Sequence, residues 1–169
     1  MDVSGAALLS VRPRFAEALL DGSKTVEVRR RAARLFPGAL CLVYASSPAC
    51  ALLGALRVAS VDVDDPETLW RRHGDQTALE RPEFDAYLSG SPVACAIAVA
   101  EAVTFAQPVP LSELRRRHSS FVTPQSYRFL ASDEMAALLN GQAGDLASLI
   151  ETPSLCAPIV SSLVSAPMR

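Results

Sequence analysis

Apolar runs of two different periods divide this chain into short strands and short helices. Residues 6–11 form a compact apolar run that predicts a buried strand. Pro13 follows at a position suited to the first residue of a helix, where its missing N–H costs nothing. Phe15, Ala18, Leu19 and Leu20 then give one apolar helical face, and Gly22 ends the helix. From Thr25 to Arg29 β-branched and polar residues alternate, the period of a strand with one buried face. That phase points Val26 and Val28 to the core and puts Thr25, Glu27 and Arg29 together on the other side.

Residues 30–34 read as a basic loop before a turn at Leu35-Phe36-Pro37-Gly38. Residues 40–45 predict a strong buried strand, and 51–63 a longer one with a bulge or bend at Gly54. Asp64-Asp65-Pro66 opens a helix that runs to His73, and 81–88 predicts a second. Residues 94–105 are another long apolar strand, which Pro108–Pro110 is expected to break. A helix at 111–117, a short strand at 127–130 and a helix from Ser132 to Leu139, capped by Ser132-Asp133-Glu134, complete the pattern. Beyond Gly141 the chain is rich in Ser, Ala and Pro and has no period. This predicts one domain over 1–140 and a tail over 141–169, loosely structured or packed on the domain or a partner. Five to six strands with short helices inserted, and no regular strand–helix alternation, predict an α+β mixed β-barrel rather than a parallel sheet.

Composition narrows the class. With 169 residues, half of them hydrophobic, the chain can build a sizeable core. No apolar run reaches the ~18 to 20 residues of a membrane helix, and the first residues lack the basic start of a secretory signal, so a cytoplasmic protein is expected. Cys41, Cys50, Cys95 and Cys156 form no CxxC pair, and neither His73 nor His118 has a cysteine at zinc-ligand spacing. They read as reduced thiols, with no metal site and no cofactor expected.

Net charge is −2, yet its distribution is uneven. Residues 1–60 carry eight basic and four acidic side chains, and residues 61–110 carry three basic and nine acidic. The basic part can attract phosphate locally, with weak, salt-sensitive affinity. Fifteen of the sixteen basic residues are Arg, the bias of a GC-rich coding sequence. The single lysine, Lys24, sits in a Gly-Ser-Lys-Thr turn, and a rotatable ammonium does not substitute for a planar guanidinium.

Leu9-Ser10-Val11-Arg12-Pro13-Arg14-Phe15-Ala16, followed by Asp21-Gly22-Ser23-Lys24-Thr25-Val26-Glu27-Val28-Arg29, resembles the ASCH family. Its signature is a strand ending in Ser-x-basic-Pro, a short helix, then Gly-x-Lys-x-x-Glu-x-Arg. Leu42-Val43-Tyr44-Ala45-Ser46-Ser47-Pro48 and Pro124-Gln125-Ser126-Tyr127-Arg128-Phe129-Leu130 are similar to further blocks of a bacterial branch. The resemblance covers about residues 6–140. It implies a barrel similar to the PUA domain, with a cleft between barrel and first helix. It also implies RNA binding, with ribonuclease, nucleoside amidohydrolase and transcriptional-regulator roles described within the family.

The residues allow two chemistries. In the first, Arg12, Arg14, Arg29, Arg30 and Arg31, with Arg34 beside them, hold a phosphate backbone at the rim of a cleft. Lys24 stands at its mouth, and Tyr44, Ser46, Ser47, Gln125, Ser126 and Tyr127 offer a ring, hydroxyls and an amide to a base. The expected partner is RNA or DNA, with a modified nucleoside as an alternative and a homodimer left open. In the second, Lys24 and Glu27 form a catalytic pair in a hydrolase whose loss in Lys24→Ala leaves the melting temperature nearly intact. An ion pair with a purely structural role is the competing reading of Lys24 and Glu27. A third reading makes the acidic segment 62–85 and the apolar tail a protein-docking surface. His73 and His118 read as residues at helix C-termini, not as catalysts.

Overall fold

The structure, a computed structural model, describes residues 6–31 and 34–151. Six strands form one sheet: β1 (Ala7–Val11), β2 (Val26–Arg29), β3 (Leu40–Ala45), β4 (Ala51–Asp64), β5 (Ala94–Pro110) and β6 (Tyr127–Phe129). Their order is β2-β5-β4-β3-β1-β6. The β1–β3 pair is parallel and the other four are antiparallel, so the sheet is mixed. Among the described residues six α-helices accompany it: α1 (Pro13–Asp21), α2 (Pro66–His73), α3 (Arg81–Leu88), α4 (Leu111–Arg117), α5 (Ser132–Leu138) and α6 (Ala143–Glu151). The class is α+β.

Both faces of the sheet are covered, which explains why its central strands read as unbroken apolar runs. Leu9, Val43, Leu56 and Ile97 pack with Leu19 of α1 on one face. Leu8, Leu42, Leu52 and Phe105 pack with Leu114, Leu138 and Leu146 on the other. A third cluster joins Val26 and Val28 to Leu69 of α2 and Phe84 and Leu88 of α3.

The ladder shifts register at Val43/Tyr44 between β3 and β4, and at three places between β4 and β5. Such bulges bend strands and raise their twist, and the sheet curls into a half-barrel. One shift lies between Leu52 and Gly54, where the sequence predicts a bulge. A Cβ on Gly54 would collide with the Val103 carbonyl oxygen and meet Leu20 Cδ2 at 2.8 Å. Gly54→Ala is therefore expected to cost about 3 kcal/mol by overpacking. A thermal melt would check this, and an unchanged Tm would refute the close-approach argument.

Two sequence expectations need correction. Pro108 and Pro110 do not break β5, which continues to Pro110. β2 pairs only with 95–98, so the far half of β5 has one open edge, where proline removes no ladder bond. Ser132 does not cap α5: Ala131 is the N-cap, without a side-chain bond. In the expected tail, residues 143–151 form α6, whose Leu146 and Leu149 are buried on the sheet, one of the placements left open for it. The rest of the predicted tail lies outside the described residues, as does Cys156.

Candidate functional site

The site begins with a local stop signal. Gly22 takes the left-handed conformation (φ 84°) that ends α1. Asp21 Oδ1 accepts hydrogen bonds from the Ser23 N–H at 2.8 Å and the Ser23 hydroxyl at 2.6 Å. These bonds hold the Asp21 carboxyl below its ordinary pKa. The Lys24 N–H then donates to the Ala18 carbonyl at 2.9 Å, which turns the chain back toward the sheet.

Lys24 does not reach the cleft mouth as its sequence position suggests. It is buried, with 1% of its surface exposed, on the floor of a cleft of about 560 Å³. Its ammonium donates to the Thr77 carbonyl at 2.5 Å, lies 3.3 Å from Glu27 Oε2 and stands 4.9 Å from the Phe15 ring centroid. Burial lowers its pKa, with Arg29 and Arg14 acting in the same sense, and Glu27 only partly restores it. Thr77 belongs to the connector between α2 and α3. The segment that looked like an acidic docking surface thus supplies a wall of the cleft.

Glu27 and Arg29 share the β2 face opposite Val26 and Val28, 7% and 6% exposed respectively. Arg29 Nε lies 3.0 Å from Glu27 Oε1, an ion pair whose N–H is not aligned as a hydrogen bond. The Arg29 guanidinium also donates to the Ser10 carbonyl at 3.1 Å and to the Ser126 carbonyl and hydroxyl at 3.3 Å. Ser10 is on β1 and Ser126 precedes β6. The contacts therefore join β2, one end of the sheet, to the other end. The cleft lies along this gap between sheet edges.

Arg12, Arg30, Ser46 and Gln125 line the cleft with the three floor residues. Arg30 donates to the Tyr87 carbonyl at 2.5 Å and stands 5.1 Å from its ring centroid. Arg14 pairs with Glu83 of α3 and sits 4.2 Å from the Phe15 centroid. Other sequence candidates lie elsewhere. Tyr44 is buried in the second core, 6.5 Å from Phe121, and burial with the neighbouring Cys50 pushes its hydroxyl up to about 12. Ser47 and Arg31 are exposed and do not line the cleft. Ser126 acts through Arg29. Tyr127 packs on the first core, and its hydroxyl accepts from the Arg34 N–H at 3.0 Å.

Phe15, Thr77, Glu83 and Tyr87 are the site residues that sequence reasoning did not select. The motif marks only one side of the cleft, and nothing local to 77–87 says that it folds against Lys24. His73 bonds Asp62 at 2.9 Å and His118 lies 3.2 Å from Ser120, both away from the cleft lining. Cys41 and Cys95 are buried, Cys50 is half-buried, none of the three is in a disulfide, and burial pushes Cys41 up to about 12. Among the described residues no three His, Cys, Asp or Glu side chains cluster as metal ligands, and no helix is long and apolar enough to cross a membrane.

A model of the ASCH domain matches residues 9–108. The chain is 30% identical over 134 residues to an ASCH domain-containing ribonuclease of Zymomonas mobilis, covering 79% of this chain and 90% of that protein. The crystal structure of ASCH from Zymomonas mobilis superposes with a TM-score of 0.73 at 29% identity, over 80% of this chain and 94% of that one. Its serine-to-alanine variant gives 0.75 over the same shares. The N-terminal domain of McrB from Staphylothermus marinus shares the fold at 13% identity, with a TM-score of 0.53 over 80% of this chain and 93% of that one. The matched span holds the end of β1 from Leu9, all of α1 and the whole Gly22-x-Lys24-x-x-Glu27-x-Arg29 turn and strand, and the chain belongs to the ASCH domain family.

Proposed function

We propose that this chain binds single-stranded RNA, taking one nucleotide into the cleft floored by Lys24, Glu27 and Arg29. The observation that carries the reading is the cleft itself. It has the volume of a small-ligand pocket, and four basic and two acidic side chains line it. In a chain of net charge −2 this is a local excess of cations. Arg12 and Arg30 are exposed at its sides, where phosphates of a strand would meet them. Phe15 and Tyr87 offer rings for a base that leaves the stack. That the Zymomonas relative is a ribonuclease favours RNA over DNA and over a free nucleoside.

Cleavage of the bound strand is the second reading, favoured by the same relative. In such a reaction the 2′-oxygen attacks phosphorus and gives its proton to a base, and the P–O5′ bond breaks as the 5′-oxygen takes up a proton, leaving a 2′,3′-cyclic phosphate. Lys24 and Arg29 would stabilise the charge on the phosphorane, and Glu27 would hold both cations in place.

Fluorescence anisotropy with single-stranded RNA, duplex RNA and duplex DNA tests the proposal, with the same mixtures resolved on a gel. Single-stranded RNA is expected to bind best. About three phosphate contacts would give a slope of log K against log salt near −2. Arg30→Glu should weaken binding about tenfold or more by reversing one contact. Absence of RNA binding at low salt would overturn the reading. Shortened products would convert it from binding to hydrolysis.

A further inference from the structure

The cleft contains one anionic acceptor that its own cations do not consume. Both Glu27 oxygens are engaged, Oε2 by Lys24 and Oε1 by Arg29. Glu83 differs: Arg14 holds Oε1, and Oε2 has no partner among the described residues. Glu83 lines the same cleft, and about a third of its side chain is exposed (34%). Arg14 is in turn placed by its stacking on Phe15, so the carboxylate is oriented from the opposite wall.

A free carboxylate oxygen works against any phosphate that enters. It contributes to binding only if the ligand brings an N–H or O–H donor to it. A nucleotide does so when its base carries an exocyclic amino group. Where cytosine carries its amino group uracil presents a carbonyl oxygen, which a carboxylate repels, and its one ring N–H is flanked by two such oxygens. Resting on the RNA-binding reading above, we infer that Glu83 is a specificity residue that favours amino-bearing bases and rejects uracil. Cytosine against uracil is the cleanest comparison. The two rings differ in one amino-for-keto exchange, together with a proton on the adjacent ring nitrogen, and both stack weakly.

The experiment measures anisotropy of oligocytidylate and oligouridylate of equal length on the wild type and on Glu83→Gln. The amide is isosteric and can turn its NH₂ toward a carbonyl, so it accepts both bases. The wild type is expected to bind oligocytidylate about tenfold more tightly, within the range of a well-placed base-edge contact. Glu83→Gln should bring the ratio close to one, chiefly by binding oligouridylate better. Equal wild-type affinities would overturn the inference and leave the RNA-binding reading standing. An unchanged ratio in Glu83→Gln would assign the preference to another group and remove Glu83 from the role. If neither oligonucleotide binds, the RNA reading falls and this inference falls with it.

Discussion

Lys24→Ala is expected to lose stability together with RNA binding. The hydrolase reading of the sequence expected a nearly unchanged melting temperature, and a structural ion pair was the competing reading. The structure reverses that expectation. Lys24 is fully buried, bonded to the Thr77 carbonyl and paired with Glu27. Its removal strips a buried carboxylate of one partner and leaves a carbonyl without a donor. Breaking such a pair costs about 3 kcal/mol even at the low end of the usual range, and Arg29 still compensates Glu27. For a chain of this size that corresponds to a fall in Tm of about 6 to 12 °C. A thermal melt beside the anisotropy measurement separates the two effects. A variant that melts like the wild type would show that the buried contacts do not hold the fold. Lys24→Arg should not rescue the loss, because a planar guanidinium does not fit a floor closed by Phe15 and the Thr77 carbonyl.

Arg29→Ala carries the other large effect. Arg29 spans the two ends of the sheet and satisfies the Ser10 and Ser126 carbonyls as well as Glu27. No ladder bond pairs β2 with β1 or β6, so this side chain stands in for backbone pairing there. The expected cost is about 3 kcal/mol, the low end for breaking a buried pair, because Lys24 still compensates Glu27. The loss should be uneven. Amide exchange is expected to rise first in β2 and β6, while the β4–β5 ladder keeps its protection until global unfolding. Uniform loss of protection would argue against the bridging role. Arg29→Lys should fall between the two, since one ammonium cannot reach all three groups.

The parts legible in the sequence are those fixed by near neighbours. Pro13 and Gly22 bound α1, the Val26/Val28 alternation sets the face of β2, and Gly54 marks a bulge. Asp65 caps α2 through the Thr68 N–H at 3.0 Å. Half of the site was legible for the same reason, because Lys24, Glu27 and Arg29 lie within six residues. The other half depends on distant pairing. Lys24 meets Thr77, Arg14 meets Glu83 and Arg29 meets Ser126, each across fifty or more residues. Tyr44 shows the limit from the other side. Its strand is buried on both faces, so alternation does not say which face its ring takes. The prolines of β5 misled because their effect depends on whether a neighbour strand is present, which composition does not record.

The half-barrel has a mechanical consequence. Everywhere else in the sheet, moving two strands apart means breaking backbone hydrogen bonds in series. Along the line where the cleft lies, only side chains resist. The molecule is therefore most compliant where it would receive a ligand, and widening there leaves every strand pair intact. A nucleotide lodged across that line would touch β1 and β2 at once and serve as a removable rung, stiffening the barrel while it stays.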